Sequence, residues 1–228
     1  MTDPRPTALI TGASRGVGAE IARQLAPTHD LVLGGRPSAR LNAVADELGA
    51  AALAVDLTDH AALAAAVQGA EGITSLDVLV HSAGFASIGR LEDSTAAEWR
   101  QMFEVNLLAT VELTRLLLPA LRAAGGHVVF LNSGAGLFAH PGWSAYAASK
   151  FGLTAFAQAL RAEEPALRVT SVFPGRIDTE MQQGIYAQEG RDYARTGLLR
   201  PDTVAAAVVG AIRTPGDAHP VDIVLKPR

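Results

Sequence analysis

Apolar positions along this chain alternate between two textures. Short runs bounded by glycine, threonine or aspartate recur at residues 7–11, 31–33, 51–55, 77–80, 127–131, 168–173 and 221–225, each the length of a buried strand. Between them lie stretches with helical spacing. One covers residues 19–26 and is stopped by Pro27, and a second covers 38–48 and is closed by Gly49. Thr58 is read as the cap of an alanine-rich helix reaching about residue 67. Thr95-x-x-Glu98 is a capping box that opens a long helix with Trp99, Met102, Phe103, Leu107 and Val111 as one apolar stripe, ending near 119–121. Further helices are predicted from Ser144 to the Glu163-Glu164-Pro165 stop, and over 201–212. The stretch 180–200 is polar and glycine-broken, and reads as a mobile lid. Strand and helix alternate throughout, which predicts an α/β architecture: a doubly wound, mostly parallel, seven-stranded sheet with helices on both faces. No linker, repeat or low-complexity segment interrupts the pattern. One domain over 1–228 is expected, with residues 1–6 flexible.

Composition narrows the function classes. The 228 residues are 49% apolar but only 5% aromatic, which suits close helix-on-sheet packing around a sizeable core. A net charge of −4, with no Lys/Arg-rich run, argues against nucleic acid as a partner. With no cysteine there is no disulfide, thiolate metal site or cysteine nucleophile, and no metal is expected. No apolar stretch approaches membrane-spanning length, and residues 1–6 do not read as a signal peptide. A cytoplasmic protein without membrane partners is therefore expected.

The first strand runs straight into Gly12-Ala13-Ser14-Arg15-Gly16-Val17-Gly18 and then a helix. In that context a glycine-rich loop can hold a phosphate, because glycines let the backbone approach the ligand and the helix start offers free N–H groups. The same spacing is also found in ordinary strand-to-helix turns. Where dinucleotide folds place an acid for the ribose 2′-hydroxyl, this chain has Gly34-Gly35-Arg36. Arg36 and Arg15 would meet a 2′-phosphate with forked donors, unless both are solvated surface residues. Asp56, before Leu57, reads either as an acceptor for an adenine amino group or as a turn residue. His81 reads as an interior or surface histidine. Asn106, among apolar residues, is either a buried structural carboxamide or a polar group aimed at a site.

Tyr146 and Lys150 are one turn apart on a predicted helix, so their side chains share a face. An ammonium about 4 Å from a phenol, at an effective dielectric near 20, favours the phenolate by of order 4 kcal/mol. That would bring the phenol towards neutral pH, where it can serve as general acid or base. Ser133 precedes the pair across a loop broken by glycine and proline. Taken alone, such a pair is common on amphipathic helices.

Taken together, Thr11-Gly12-x-x-x-Gly16-x-Gly18, Asn106, Ser133, Tyr146-x-x-x-Lys150 and Pro174-Gly175 with Thr179 closely resemble the short-chain dehydrogenase/reductase family, over essentially the whole chain. The resemblance implies a Rossmann-type fold and an NADP(H)-dependent oxidoreductase acting on alcohol and carbonyl groups. It implies Asn106, Ser133, Tyr146 and Lys150 as the catalytic set. It also implies that Gly12, Ser14, Arg15, Gly16, Val17, Gly18, Arg36, Asp56, Leu57, Ser82, Ala83, Gly84, Pro174, Gly175, Ile177 and Thr179 contact the cofactor, together with Tyr146 and Lys150. Tyr146 would protonate the carbonyl oxygen, Ser133 would hold it, Lys150 would bind ribose hydroxyls, and Asn106 would hold a water linking Lys150 to solvent. One departure is His81-Ser82 where the family usually has two asparagines; another is Thr170 where an Asn is common. Phe85, Ala135, Leu137, Phe138, Trp143, Met181, Ile185 and Tyr186 are candidate pocket residues, suggesting a partly apolar small-molecule substrate. A homodimer or homotetramer through the long helices is implied. The rivals are a catalytically silent NADP(H)-binding regulator and a sugar-nucleotide epimerase or dehydratase, the latter disfavoured by the glycine spacing and the small C-terminal part.

Overall fold

The computed structural model describes residues 5–70 and 73–228, so most of the expected flexible segment 1–6 lies outside the described residues. Seven strands, β1 (Thr7–Thr11), β2 (Asp30–Gly35), β3 (Ala51–Ala54), β4 (Val78–His81), β5 (His127–Leu131), β6 (Arg168–Pro174) and β7 (Asp222–Leu225), form one sheet in the order β3-β2-β1-β4-β5-β6-β7. Every pairing is parallel. The strand order reverses direction between β1 and β4, and ligands of such sheets bind at that crevice, beyond the carboxyl ends.

Helices α1 (Gly16–Leu25), α2 (Ala39–Leu48) and α8 (Pro201–Ile212) cover one face, and α3 (His60–Gly69), α5 (Ala109–Ala124) and α6 (Ser144–Glu163) the other. Alternation within β1 shows why both faces are apolar: Ala8 and Ile10 join the α1 side of the core, and Leu9 the α5 side. The signals at several helix ends act as read. The Ser38 hydroxyl accepts from Leu41 N, the capping box of Thr95 and Glu98 is complete, and Gly49 closes α2 at φ 59°.

Four expectations need correction. Asp59, not Thr58, caps α3; the Thr58 hydroxyl and amide are instead held by the Asp56 carboxylate. The long helix does not stop near Pro119 but runs to Ala124 with Pro119 inside it. A mid-helix proline costs about 3 kcal/mol. Leu113, Leu117 and Leu121 are buried around it at about 1.5–3 kcal/mol each, which outweighs that cost. The single stripe is also broken. α4 (Ala96–Phe103) passes through a π-helical segment, Glu104–Leu108, before α5 begins, so the wider turn resets which side chains face inward. Finally, the lid region 180–200 opens with a regular helix, α7 (Glu180–Gln188), capped by the Thr179 hydroxyl.

Candidate active site

Thr11, at the end of β1, uses its hydroxyl to accept from Ser82 N and Ala83 N, both at 3.1 Å, which draws the β4 terminus against the glycine loop. Gly12 sits at φ 66°, and a Cβ there would lie 2.8 Å from the Ala83 backbone. A Cβ on Gly18 would strike the Gly12 carbonyl. Only glycine lets these three backbone stretches meet. Helix α1 starts just beyond, with no acid in its first turn and no side-chain bond from its cap residue Arg15, so its N–H groups face the crevice unclaimed. Val17 is buried in the core beneath the loop, and Ser14 is half-buried on it.

Arg36 stands exposed past β2, and its charge helps hold the Asp56 carboxyl below its ordinary value, after the larger effects of hydrogen bonds from Thr58 N and the Thr58 hydroxyl. Asp56 is thus chiefly a turn residue here, and Leu57 packs on the core. Arg15 is not free: with Arg40 it pairs with Glu180 on the first turn of α7.

A cleft of about 360 Å³ lies beyond the carboxyl ends of β4, β5 and β6. Among the expected residues, Ser82, Ala83, Gly84, Ser133, Tyr146, Lys150, Pro174, Gly175, Ile177 and Thr179 line it, as do Phe85, Ala135, Trp143, Met181 and Ile185. Tyr186, Leu137 and Phe138 do not; Phe138 is exposed, and Tyr186 is buried behind the wall against Tyr193. Thr179 links the two ends of the crevice, because its methyl would touch a Cβ at Gly16 at 3.6 Å.

Tyr146 and Lys150 are both buried on α6. The phenol is not acidified as expected. Burial pushes Tyr146 above its ordinary value, and the Ser133 hydroxyl pulls it only partly back. The Lys150 ammonium lies 5.9 Å from the Tyr146 ring centroid and donates to the Leu131 carbonyl at 3.3 Å. Burial lowers Lys150 to about 8, poised near neutrality.

The Asn106 carboxamide is fully engaged. Its Oδ1 accepts from Phe85 N at 2.8 Å, and its Nδ2 donates to Phe85 O at 2.8 Å and Ser149 Oγ at 3.0 Å. Ser149 in turn donates to the Tyr146 carbonyl, so Asn106 braces the Phe85 loop against the helix bearing Tyr146. It remains close to the centre of the site, since a Cβ on Gly84 would be 3.4 Å from Asn106 Oδ1 and 3.9 Å from Lys150 Nζ. Asn132 was not anticipated from the sequence. It receives the Ser133 amide at 2.9 Å and donates to Thr154 Oγ1 and Lys150 O, fixing the serine relative to α6. His140, Arg176 and Gln182 were also missed as cleft residues.

Among the described residues no helix is long and apolar enough to cross a membrane, and no cluster of His, Asp and Glu is disposed to hold a metal.

The chain matches the short chain dehydrogenase family model over residues 6–190. It is 30% identical over 227 residues to an uncharacterized oxidoreductase of Staphylococcus epidermidis, covering 96% of each chain. Its structure resembles an alcohol dehydrogenase of the archaeon Thermococcus sibiricus complexed with 5-hydroxy-NADP, at TM-score 0.88, 29% identity and coverage of 98% and 97%. It also resembles an actinorhodin polyketide ketoreductase with NADPH, at TM-score 0.89, 25% identity and coverage of 98% and 96%. With the all-parallel sheet and the family match in agreement, the chain belongs to the short-chain dehydrogenase/reductase family of oxidoreductases.

Proposed function

We propose that the protein interconverts a carbonyl compound and an alcohol using NADP(H). The observation that carries this reading is the convergence of Ser133, Tyr146 and Lys150 on one cleft whose far end opens beside the glycine loop. The residues present fit a dinucleotide: the backbone cradle at Gly12 and Gly18 leaves no room for a Cβ, and the N-terminus of α1 is free of acids. Arg36, Arg15 and Arg40 around the ribose position, with no acid at the end of β2, favour the 2′-phosphorylated form. The two structural neighbours described above were solved with NADP-type ligands, which supports the same choice.

A bound nicotinamide supplies or accepts the hydride. The protein's own part is positioning and proton transfer. Tyr146 Oη gives a proton to the carbonyl oxygen, or takes it from the hydroxyl in the reverse direction. Ser133 Oγ donates to the same oxygen and stabilises its developing charge. Lys150, able to carry charge near neutrality, holds the ribose hydroxyls. Because the Asn106 side chain is spent on Phe85 and Ser149, any relay water it holds would rest on its main-chain carbonyl in the π-helical segment. A symmetric contact is assigned to α6 and the adjoining π-helical segment, where Phe151 and Leu108 are exposed; gel filtration with light scattering tests it, and a monomer rejects it.

The cofactor reading is tested by titration. Arg36→Asp is expected to weaken NADPH by about 10- to 100-fold, the scale of a lost charge-assisted hydrogen bond, and NADH by less than about threefold. Equal weakening of both, or wild-type protein binding NADH as tightly as NADPH, removes the role given to Arg36. Glu180→Ala frees Arg15 and Arg40 from an exposed carboxylate. It is expected to tighten NADPH by up to about fivefold and to leave NADH unchanged.

A further inference from the structure

Charge is unevenly distributed in the cleft. The chain as a whole has more acids, 23, than bases, 19, yet no Asp or Glu lines the cleft while Lys150, His140 and Arg176 do. Arg176 is no solvated surface cation. Its two terminal nitrogens donate to the Glu189 carboxylate at 2.8 and 2.5 Å. Its guanidinium carbon lies 5.5 Å from the Trp143 ring centroid and 5.3 Å from that of Tyr186, so two aromatic rings hold it in place. Trp143 packs edge-on against Tyr146 at 5.8 Å, which leaves one indole between the guanidinium and the phenol.

Glu189 does not cancel this charge. Arg191 donates to the same carboxylate at 3.2 Å and lies over Tyr186 at 4.9 Å, so two guanidiniums share one acid. An independent observation points the same way. Gln182 is only 5% exposed and lines the cleft, and its Nε2 has no acceptor among the described residues. A buried N–H without an acceptor is costly, and a ligand oxygen would relieve it once the side chain rotates to turn its amide into the cleft.

We infer that the substrate is a carbonyl or alcohol compound that also bears a carboxylate, held by the Arg176 guanidinium and the Gln182 amide while its reacting oxygen faces Ser133 and Tyr146. Glu189 leaves further guanidinium N–H groups free, and their planar fork matches a carboxylate. This inference rests on the oxidoreductase reading above and specifies its substrate class.

The test compares ω-oxoalkanoates of increasing chain length with their methyl esters, using NADPH and the full-length protein. For at least one length, wild-type kcat/KM is expected to favour the acid by about tenfold or more, the scale of one charge-assisted hydrogen bond. Arg176→Met should bring the ratio to near parity, with the loss lying in KM for the acid. Arg176→Lys should keep part of the preference, because charge remains and the fork is lost. Gln182→Leu should lower the ratio less, in the same direction. Should Arg176→Met fail to fold, wild-type protein still decides. Alkanoates without a carbonyl group should then inhibit competitively against the carbonyl substrate, and the matching primary amides should not. Ester turned over as well as acid at every length, or an unchanged ratio in Arg176→Met, overturns the inference and leaves the oxidoreductase reading standing. Absence of turnover with every acid and ester, while NADPH still binds, overturns both.

Discussion

Tyr146→Phe is expected to lower turnover by about 10²- to 10⁴-fold, the range for loss of a positioned general acid. Dinucleotide affinity should stay within a few fold. The substitution removes only the hydroxyl. The ring remains packed edge-on against Trp143 and beside Met102, Ala135 and Ala145, so the fold is retained. Because burial raises the phenol and the nearest cation is directed at the Leu131 carbonyl, the tyrosine is protonated at neutral pH in the structure. It is therefore ready to act as an acid in the reducing direction. Oxidation needs the phenolate, so its rate should climb with pH well past neutrality. Single-turnover rates at saturating cofactor provide the measurement, and near wild-type turnover in Tyr146→Phe would remove the acid/base role.

Acidification between about pH 6.5 and 4 is expected to destabilise the protein by up to about 3 kcal/mol per pH unit, from two histidines that each take up one more proton on unfolding. His81 and His127 are buried, and burial lowers each to about 3. The tautomers explain why. His81 Nε2 lies 2.9 Å from Thr114 Oγ1, which donates its own proton to Thr110 O, so the imidazole must be the donor. His127 Nε2 lies 2.8 Å from Thr170 Oγ1, which donates to Pro220 O. A second proton would have to go on Nδ1, and on His127 that atom is buried without a partner. The folded-state value lies below the unfolded one near 6.5, so the unfolded chain takes up protons first as pH falls. Stability is accordingly full above that value and is lost on the way down to about 3. His29 and His219, also lowered by burial, add in the same direction. Urea midpoints at pH 7, 6 and 5 measure the slope, and His81→Asn should reduce it by about half. Midpoints that do not move with pH would refute the assignment.

Regular elements were largely legible because their signals are local. The apolar runs of β1, β4 and β5, the Thr95–Glu98 box and the glycine end of α2 depend only on neighbouring residues. The extension past Pro119 was not, since burial of distant leucines offsets a local penalty. The polar texture of 180–188 hid a helix whose inward residues, Gln182, Ile185 and Tyr186, include a polar group and so leave no clean apolar stripe. Residues of the site were found where a compact motif carries them, as at Tyr146 and Lys150. Asn132 and Arg176 escaped because their importance lies in what they touch: Ser133, Thr154 and Lys150 for the first, and Trp143, Tyr186 and Glu189 for the second. The electrostatics of Tyr146 were misjudged for a related reason. Spacing shows that two side chains share a face, but not that both are buried or where the ammonium points.

The wide turn at Glu104–Leu108 holds one residue more than an ordinary helical turn would. Removing any one of those five residues would let the backbone relax into a smoother cylinder. Yet it would swing everything on the amino-terminal side by about 100° relative to α5, carrying Met102 off the floor beneath Tyr146. In lineages descended from this gene, length at that spot should therefore be held as strictly as the Asn106 carboxamide inside it.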